Sequence, residues 1–215
     1  CAAIMNRFKV DAVPHLICGG FSKEETENAL IDLHFLGIDN VLVLRGDNLK
    51  HETSFVPQPD GNQNALELLQ QVDRMNQGRY MDDELVNATA TNFCIGVAGY
   101  PEKHHDAPNL KADIRWLKQK VKAGAKFITT QMFFDNKAYF DFVATCRKEG
   151  IDIPIIPGIK PLATLKQITL LPKVFHIDIP EALADAVEQA PNEQAVRQIG
   201  IEWAIEQCRE LKAAG

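Results

Sequence analysis

A chain of 215 residues, 46% hydrophobic and 24% charged, has the size and composition of one globular domain. Its formal net charge of −6 argues against a nucleic-acid footprint, and its apolar runs fall far short of the ~18 residues that a membrane span needs. The cysteines (Cys1, Cys18, Cys94, Cys146, Cys208) form no CxxC pair, which argues against a zinc cage and a disulfide framework and for a reducing, cytoplasmic setting.

In chain order, Cys1-Ala2-Ala3-Ile4-Met5 reads as helix, so the chain is expected to begin partway through a larger protein. Val13–Cys18 reads as the first strand, with His15 inside it and expected to be buried. Ser22 and Glu25 form a capping-box pattern ahead of helix Glu24–Leu36, which Gly37 ends. The second strand, Val41–Leu44, runs into Arg45-Gly46-Asp47, and Asn48–Gln63, with Pro57, Pro59 and Gly61, reads as a long loop over the strand ends.

Phe93–Ala98 is the third strand, and Tyr100-Pro101-Glu102-Lys103-His104-His105 follows it. Helix Leu110–Ala123 has apolar residues at Leu110, Ile114, Leu117 and Val121 and stops at Gly124. Strand Phe127–Met132 carries Gln131; helix Lys137–Lys148 and strand Ile153–Ile156 come next, with Pro157-Gly158 after them. Pro180–Asn192 is acidic without strand character, and an amphipathic helix covers Glu193–Leu211.

Five near-continuous apolar strands alternating with helices are the pattern of an α/β parallel sheet, open or closed into a barrel. No GxGxxG follows the first strand, and polar residues stand behind several different strands. Both features favour a TIM (β/α)8 barrel, represented here by about five βα units in a single, incomplete domain over residues 1–215.

The chemistry sits at those strand ends. Glycine in Arg45-Gly46-Asp47 lets backbone approach a ligand, arginine can fork onto phosphate or ring carbonyls, and a carboxylate beside a ring can tune its charge. A salt-bridged turn is the competing reading of that tripeptide. Tyr100 can stack on a planar ring and His104 can contact ribose or phosphate; solvated loop histidines are the alternative. Adjacent histidines seldom point the same way, and no Cys or carboxylate stands at ligand spacing, so no metal site is expected. Asp113 and Lys120, seven residues apart, share one helix face, as a plain solvated charged face also would. Gln131 interrupts an apolar run, where an amide needs something to bond, and a heterocycle suits it. Cys18 and Cys94 read as small buried hydrophobes, and His34 as structural.

Taken in order, Val13-Pro14-His15-Leu16-Ile17-Cys18, Leu44-Arg45-Gly46-Asp47, Ala98-Gly99-Tyr100-Pro101-Glu102-Lys103-His104, Asp113 to Lys120, Gly124-Ala125, Thr130-Gln131-Met132-Phe133-Phe134-Asp135 and Ile156-Pro157-Gly158-Ile159 resemble one family. It is the flavin-dependent methylenetetrahydrofolate reductases. The resemblance implies a TIM barrel with non-covalent FAD, reduced by NADH or NADPH, that passes hydride to 5,10-methylenetetrahydrofolate in a ping-pong sequence. It implies FAD contacts at His15, Arg45, Gly46, Asp47, Ala65, Tyr100, His104, Ala107, Asp113 and Lys120. Asp47 would lie near flavin and folate, Gln131 would bind folate and nicotinamide in turn, and Gln167 would be a second folate-side glutamine. Asn64 departs from a frequent family tyrosine, and Trp116 and Gln119 replace polar or basic contacts of some members. The family's general-acid glutamate lies on a strand that nothing in these residues matches. The expected assembly is a homo-oligomer. Competing readings are a flavin-free pterin-binding barrel methyltransferase and a truncated, inactive barrel module.

Overall fold

The computed structural model describes residues 1–47 and 55–215. Residues 48–54, the first part of the expected loop, lie outside the described residues. The chain divides into two compact units: Cys1–Ala98 with Leu117–Ile128, and Gly99–Trp116 with Thr129–Gly215.

The first unit begins with α1 (Ala2–Phe8), the three-residue strand β1 (His15–Ile17) and α2 (Lys23–Phe35). The capping box at its start is formed: the Ser22 main-chain N–H donates to Glu25 Oε2 at 2.8 Å, and the Glu25 N–H donates to Ser22 Oγ at 3.1 Å. Strand β2 (Asn40–Leu44) lies parallel to β1, with His15 opposite Leu42 and Ile17 opposite Leu44. It also lies parallel to β3 (Cys94–Gly99), with Asn40 opposite Cys94 and Val43 opposite Val97.

Helix α3 (Ala65–Asn76), to which the sequence reading assigns no element, supplies the apolar cover. Leu68, Leu69, Val72 and Met75 recur at helical spacing and are fully buried, as are Val41, Val43 and Val97 of the strands. Asn64 is the N-cap: its side-chain oxygen accepts from Leu66 N and Glu67 N. At the other end Asn76 holds β3 in place, accepting from the Phe93 N–H at 2.7 Å and donating to its carbonyl at 2.9 Å.

Helix α4 (Leu110–Lys122) and strand β4 (Phe127–Met132) run through both units. The second unit continues with α5 (Asn136–Lys148), β5 (Ile155–Gly158), α6 (Gln167–Phe175), α7 (Glu181–Glu188) and α8 (Glu193–Ala214). Its core gathers Phe134, Leu162, Leu171, Ile177, Leu183, Val187 and Val196. Side chains of α8 bind the main chain beyond β4: Trp203 Nε1 donates to the Phe134 carbonyl at 2.9 Å and Gln207 Nε2 to that of Phe133 at 3.1 Å. The acidic stretch after Pro180, without strand character, is helix α7, in which Leu183 and Val187, four apart, face this core.

The five strands follow one another in the sheet in the order β1-β2-β3-β4-β5. A doubly wound sheet reverses its order at a switch point; an unreversed parallel run is the strand order of a (β/α) barrel wall. Two expectations change at the ends of that order. Strand β1 alternates exposed, half-buried and exposed, so His15 is exposed rather than buried: among the described residues, only β2 pairs with β1. Strand β5 begins two residues later than expected. The Ile153 carbonyl accepts from Arg147 at 3.1 Å instead of joining the ladder, and Pro157, which has no N–H to donate, lies within β5. No helix among the described residues is long and apolar enough to cross a membrane.

Candidate functional site

In the first unit the candidate residues follow the ends of β1 and β2. The Cys18 N–H donates to the Arg45 carbonyl at 3.1 Å, which ties the two strand ends together. Arg45 lies with its guanidinium carbon 5.2 Å from the centre of the Phe55 ring, a cation–π contact that orients it. Gly46 has φ 92°, and a methyl there would meet the Ile17 side chain at 3.4 Å, so this backbone is both left-handed and close-packed. Asp47, next along, is exposed. Ala65 opens α3 half-buried, and Lys120 of α4 directs its Nζ to the Ala98 carbonyl at 3.4 Å.

Cys18 is buried and its thiol donates to the Leu44 carbonyl at 3.4 Å. Burial, and after it the charge of Glu67, pushes that thiol up to about 11 against a small lowering by Arg45. It is therefore a thiol at neutral pH, not a nucleophile.

In the second unit Tyr100, His104, Ala107 and Asp113 form one connected loop. Asp113, buried in the first turn of α4, accepts the His104 N–H at 2.9 Å through Oδ2. The Tyr100 ring meets that of His104 edge-on, centres 4.6 Å apart. Ala107 donates its N–H to the His104 carbonyl at 3.0 Å, while its own carbonyl accepts from Lys103 Nζ at 2.8 Å. The histidines do not point apart: the rings of His104 and His105 stack with centres 4.5 Å apart and a 24° tilt. The carboxylate that the sequence reading did not find at ligand spacing is Asp106, whose Oδ1 lies 3.1 Å from His105 Nε2.

The two glutamines are held by their own neighbourhoods. Gln131, half-buried in β4, accepts the Met132 N–H at 3.0 Å, and Gln167 Oε1 accepts from Ala163 N at 2.6 Å and Thr164 N at 3.3 Å, closing the turn before α6. Trp116 and Gln119 lie exposed on α4.

Sequence reasoning gave Glu102 no role, yet its carboxyl departs most clearly from ordinary carboxylate behaviour. Burial pushes it from 4.5 up to about 7; the Asp178 N–H, which donates to Oε2 at 2.9 Å, lowers it, and the charges of Asp178 and Asp135 raise it further. Its partner is 76 positions away, so no local signature could reveal it.

The sign of the effect on stability follows. Below about pH 4.5 the carboxyl is protonated whether the chain is folded or unfolded; between there and about pH 7 the folded chain alone keeps the proton, so stability falls as pH rises. Glu102→Gln is expected to melt roughly 2–4 °C higher than the parent at pH 8.5 and to match it near pH 4.5. Melting curves across that range check this, and a constant offset at every pH would remove ionisation as the cause.

The family model described as methylenetetrahydrofolate reductase matches residues 1–215. A probable methylenetetrahydrofolate reductase (NADPH) of Caenorhabditis elegans is 35% identical over 98% of this chain and 29% of its own length. A methylenetetrahydrofolate reductase (NADH) of Zea mays is 36% identical over 99% of this chain and 35% of its own, and methylenetetrahydrofolate reductase 1 of Schizosaccharomyces pombe is 36% identical over 99% of this chain and 33% of its own. The chain thus spans about a third of the length of these relatives. On the match across all 215 residues, this chain belongs to the methylenetetrahydrofolate reductase family.

Proposed function

We propose that the protein containing this chain reduces 5,10-methylenetetrahydrofolate to 5-methyltetrahydrofolate, with NADH or NADPH as electron source and FAD as the carrier between them. The observation that carries the reading is positional. In a chain matched throughout by the family, the polar candidates stand immediately behind β2 and β3 and within β4, the strand ends where parallel barrels bind substrates.

The donor set fits a dinucleotide of this kind. Arg45 and Lys120 supply cations for a pyrophosphate, His15 and His104 supply imidazoles for ribose or phosphate, Tyr100 a ring face, and Asp113 a carboxylate already fixing the His104 loop. The left-handed Gly46 leaves backbone N–H and C=O bare of a side chain beside Asp47, while Ala65 and Ala107 contribute small residues that do not obstruct approach. Bound flavin would supply a reversible two-electron hydride carrier, which no side chain can. Asp47 would then set the charge beside the reacting rings, and Gln131, a donor and acceptor in one group, would hold folate and nicotinamide alternately. Gln167 would hold the folate side. Serial use of one site by both substrates gives ping-pong kinetics. Residues 1–215 would belong to a single barrel domain, and the free cysteines support a reducing, cytoplasmic location. The working assembly would be a homo-oligomer.

The full-length protein is expected to purify yellow, to bleach anaerobically with NADH or NADPH, and to recover its colour on addition of methylenetetrahydrofolate. A colourless protein that takes up no flavin on reconstitution, yet binds folate, would transfer the reading to a flavin-free methyltransferase.

A further inference from the structure

The His104 loop is braced from outside by the connection between α6 and α7. Asp178 donates its main-chain N–H to Glu102 Oε2 at 2.9 Å, and the His176 ring stacks on that of His105 with centres 4.7 Å apart and a 23° tilt. We propose that His176 and Glu102 are positioning residues for cofactor binding, which hold the His104 imidazole in the orientation that the cofactor meets. The proposal rests on the flavin reading above, which sets His104 against the cofactor.

Transmission of orientation is the first argument. His105 stacks on His104, with centres 4.5 Å apart and a 24° tilt, as well as on His176, so the plane of the His104 ring is referred to the end of α6. Tyr100 meets the same ring edge-on at 4.6 Å. Within that plane, His104 Nδ1 accepts the Asp106 N–H at 3.1 Å. The neutral ring therefore carries its proton on Nε2, a donor suited to a ribose or phosphate oxygen.

Firmness is the second. Ile177, between the two bracing residues, is 4% exposed in the core of the second unit, so His176 and Asp178 flank a fixed point. The loop opposite is exposed at His105 and Asp106, and Lys103 Nζ, which reaches the carbonyls of His104 and Ala107, ties it only to itself. Backbone strain is the third. Among the described residues of the second unit, the non-glycine residues with left-handed φ are Lys103 at 82° and His176 at 53°, one on each side of the brace. That conformation disfavours a residue with a Cβ, and it persists where surrounding contacts over-determine it. Glycine, the usual residue at such a helix end, would avoid the strain at 176 but carries no ring to stack.

Titration of flavin-free full-length protein with FAD, followed by flavin fluorescence, tests this. His176→Gly relieves the strained φ and removes the ring, so Tm should hold or rise while the Kd for FAD rises about three- to tenfold, the cost of ordering a freed side chain on binding. His176→Phe, which restores a ring, should bind FAD within about twofold of the parent. Glu102→Ala should weaken binding as His176→Gly does, and Glu102→Gln, whose amide oxygen can still accept the Asp178 N–H, should not. FAD affinity in His176→Gly equal to that of the parent, or His176→Phe as weak as His176→Gly, would overturn the proposal. A parent that takes up no FAD would overturn the flavin reading and this proposal with it, a failure seen before any variant is made.

Discussion

Asp47→Asn in the full-length protein is expected to slow hydride transfer to the folate by about 10²–10³-fold, while flavin affinity changes by no more than about threefold. The amide keeps the shape of the carboxylate and removes its charge. A group that merely anchors the cofactor acts alike before and during the reaction; a charge beside rings whose electron count changes acts mostly at the transition state. Position supports the distinction. In the proposed site, anchoring would fall to Arg45, already held over Phe55, and to the bare backbone of Gly46, whereas Asp47 follows them with an exposed side chain. Stopped-flow measurement of the two half-reactions separates the roles: reduction by the nicotinamide should be much less affected than reoxidation by the folate. Equal losses in both halves, with flavin leaking from the protein, would reassign Asp47 to anchoring.

Gly200→Ala should be the most destabilising single methyl in the second unit. Gly200 lies within α8, and a methyl there would stand 2.7 Å from the Leu162 nitrogen and 2.8 Å from its carbonyl carbon, with the carbonyl oxygen closer still. The obstruction is backbone, so no side chain can rotate away, and Leu162 is itself 1% exposed in the core. Helix α8 must then retreat, loosening the Trp203 and Gln207 bonds to the carbonyls of Phe134 and Phe133. The cost should be about 3 kcal/mol or more, the upper part of the overpacking range, lowering Tm by roughly 6–12 °C. Calorimetry of the variant measures it. Alanine's better helix propensity, about 1 kcal/mol, works the other way, so a Tm within ~2 °C of the parent would mean that α8 yields freely at this point.

Strands β2, β3 and β4 were legible because strands with buried centres are written as short apolar runs, and Ser22-x-x-Glu25 is a local device that reads the same in sequence and structure. Helix α3 carried a usable signal, an Asn64 cap followed by Leu68, Leu69, Val72 and Met75, masked by the prolines and glycine just ahead of it. His15 is exposed among the described residues: an apolar run does not say which strands will flank it. At the candidate site, Arg45-Gly46-Asp47 announces itself by lying against a strand end. Glu102 does not, since its environment comes from Asp178 and Asp135 on distant segments. The His105–His176 stack likewise joins a loop to the left-handed residue that ends α6, a pairing no spacing rule contains.

The order of the strands also bears on how the chain is made. Among the described residues, β2 to β5 each pair with the strand synthesised just before, so none of them waits for a remote segment to emerge from the ribosome. β1, β2 and β3 can zip up while α5 to α8 are still in the exit tunnel or not yet synthesised, and because closure entropy grows only slowly with loop length, the long β2–β3 connection adds little delay. The hazard lies at the growing margin: until the next strand arrives, the newest one offers an unpaired row of amides and carbonyls to any other nascent chain. Slow translation between β3 and β4 would therefore be expected to increase aggregation more than a pause inside α8.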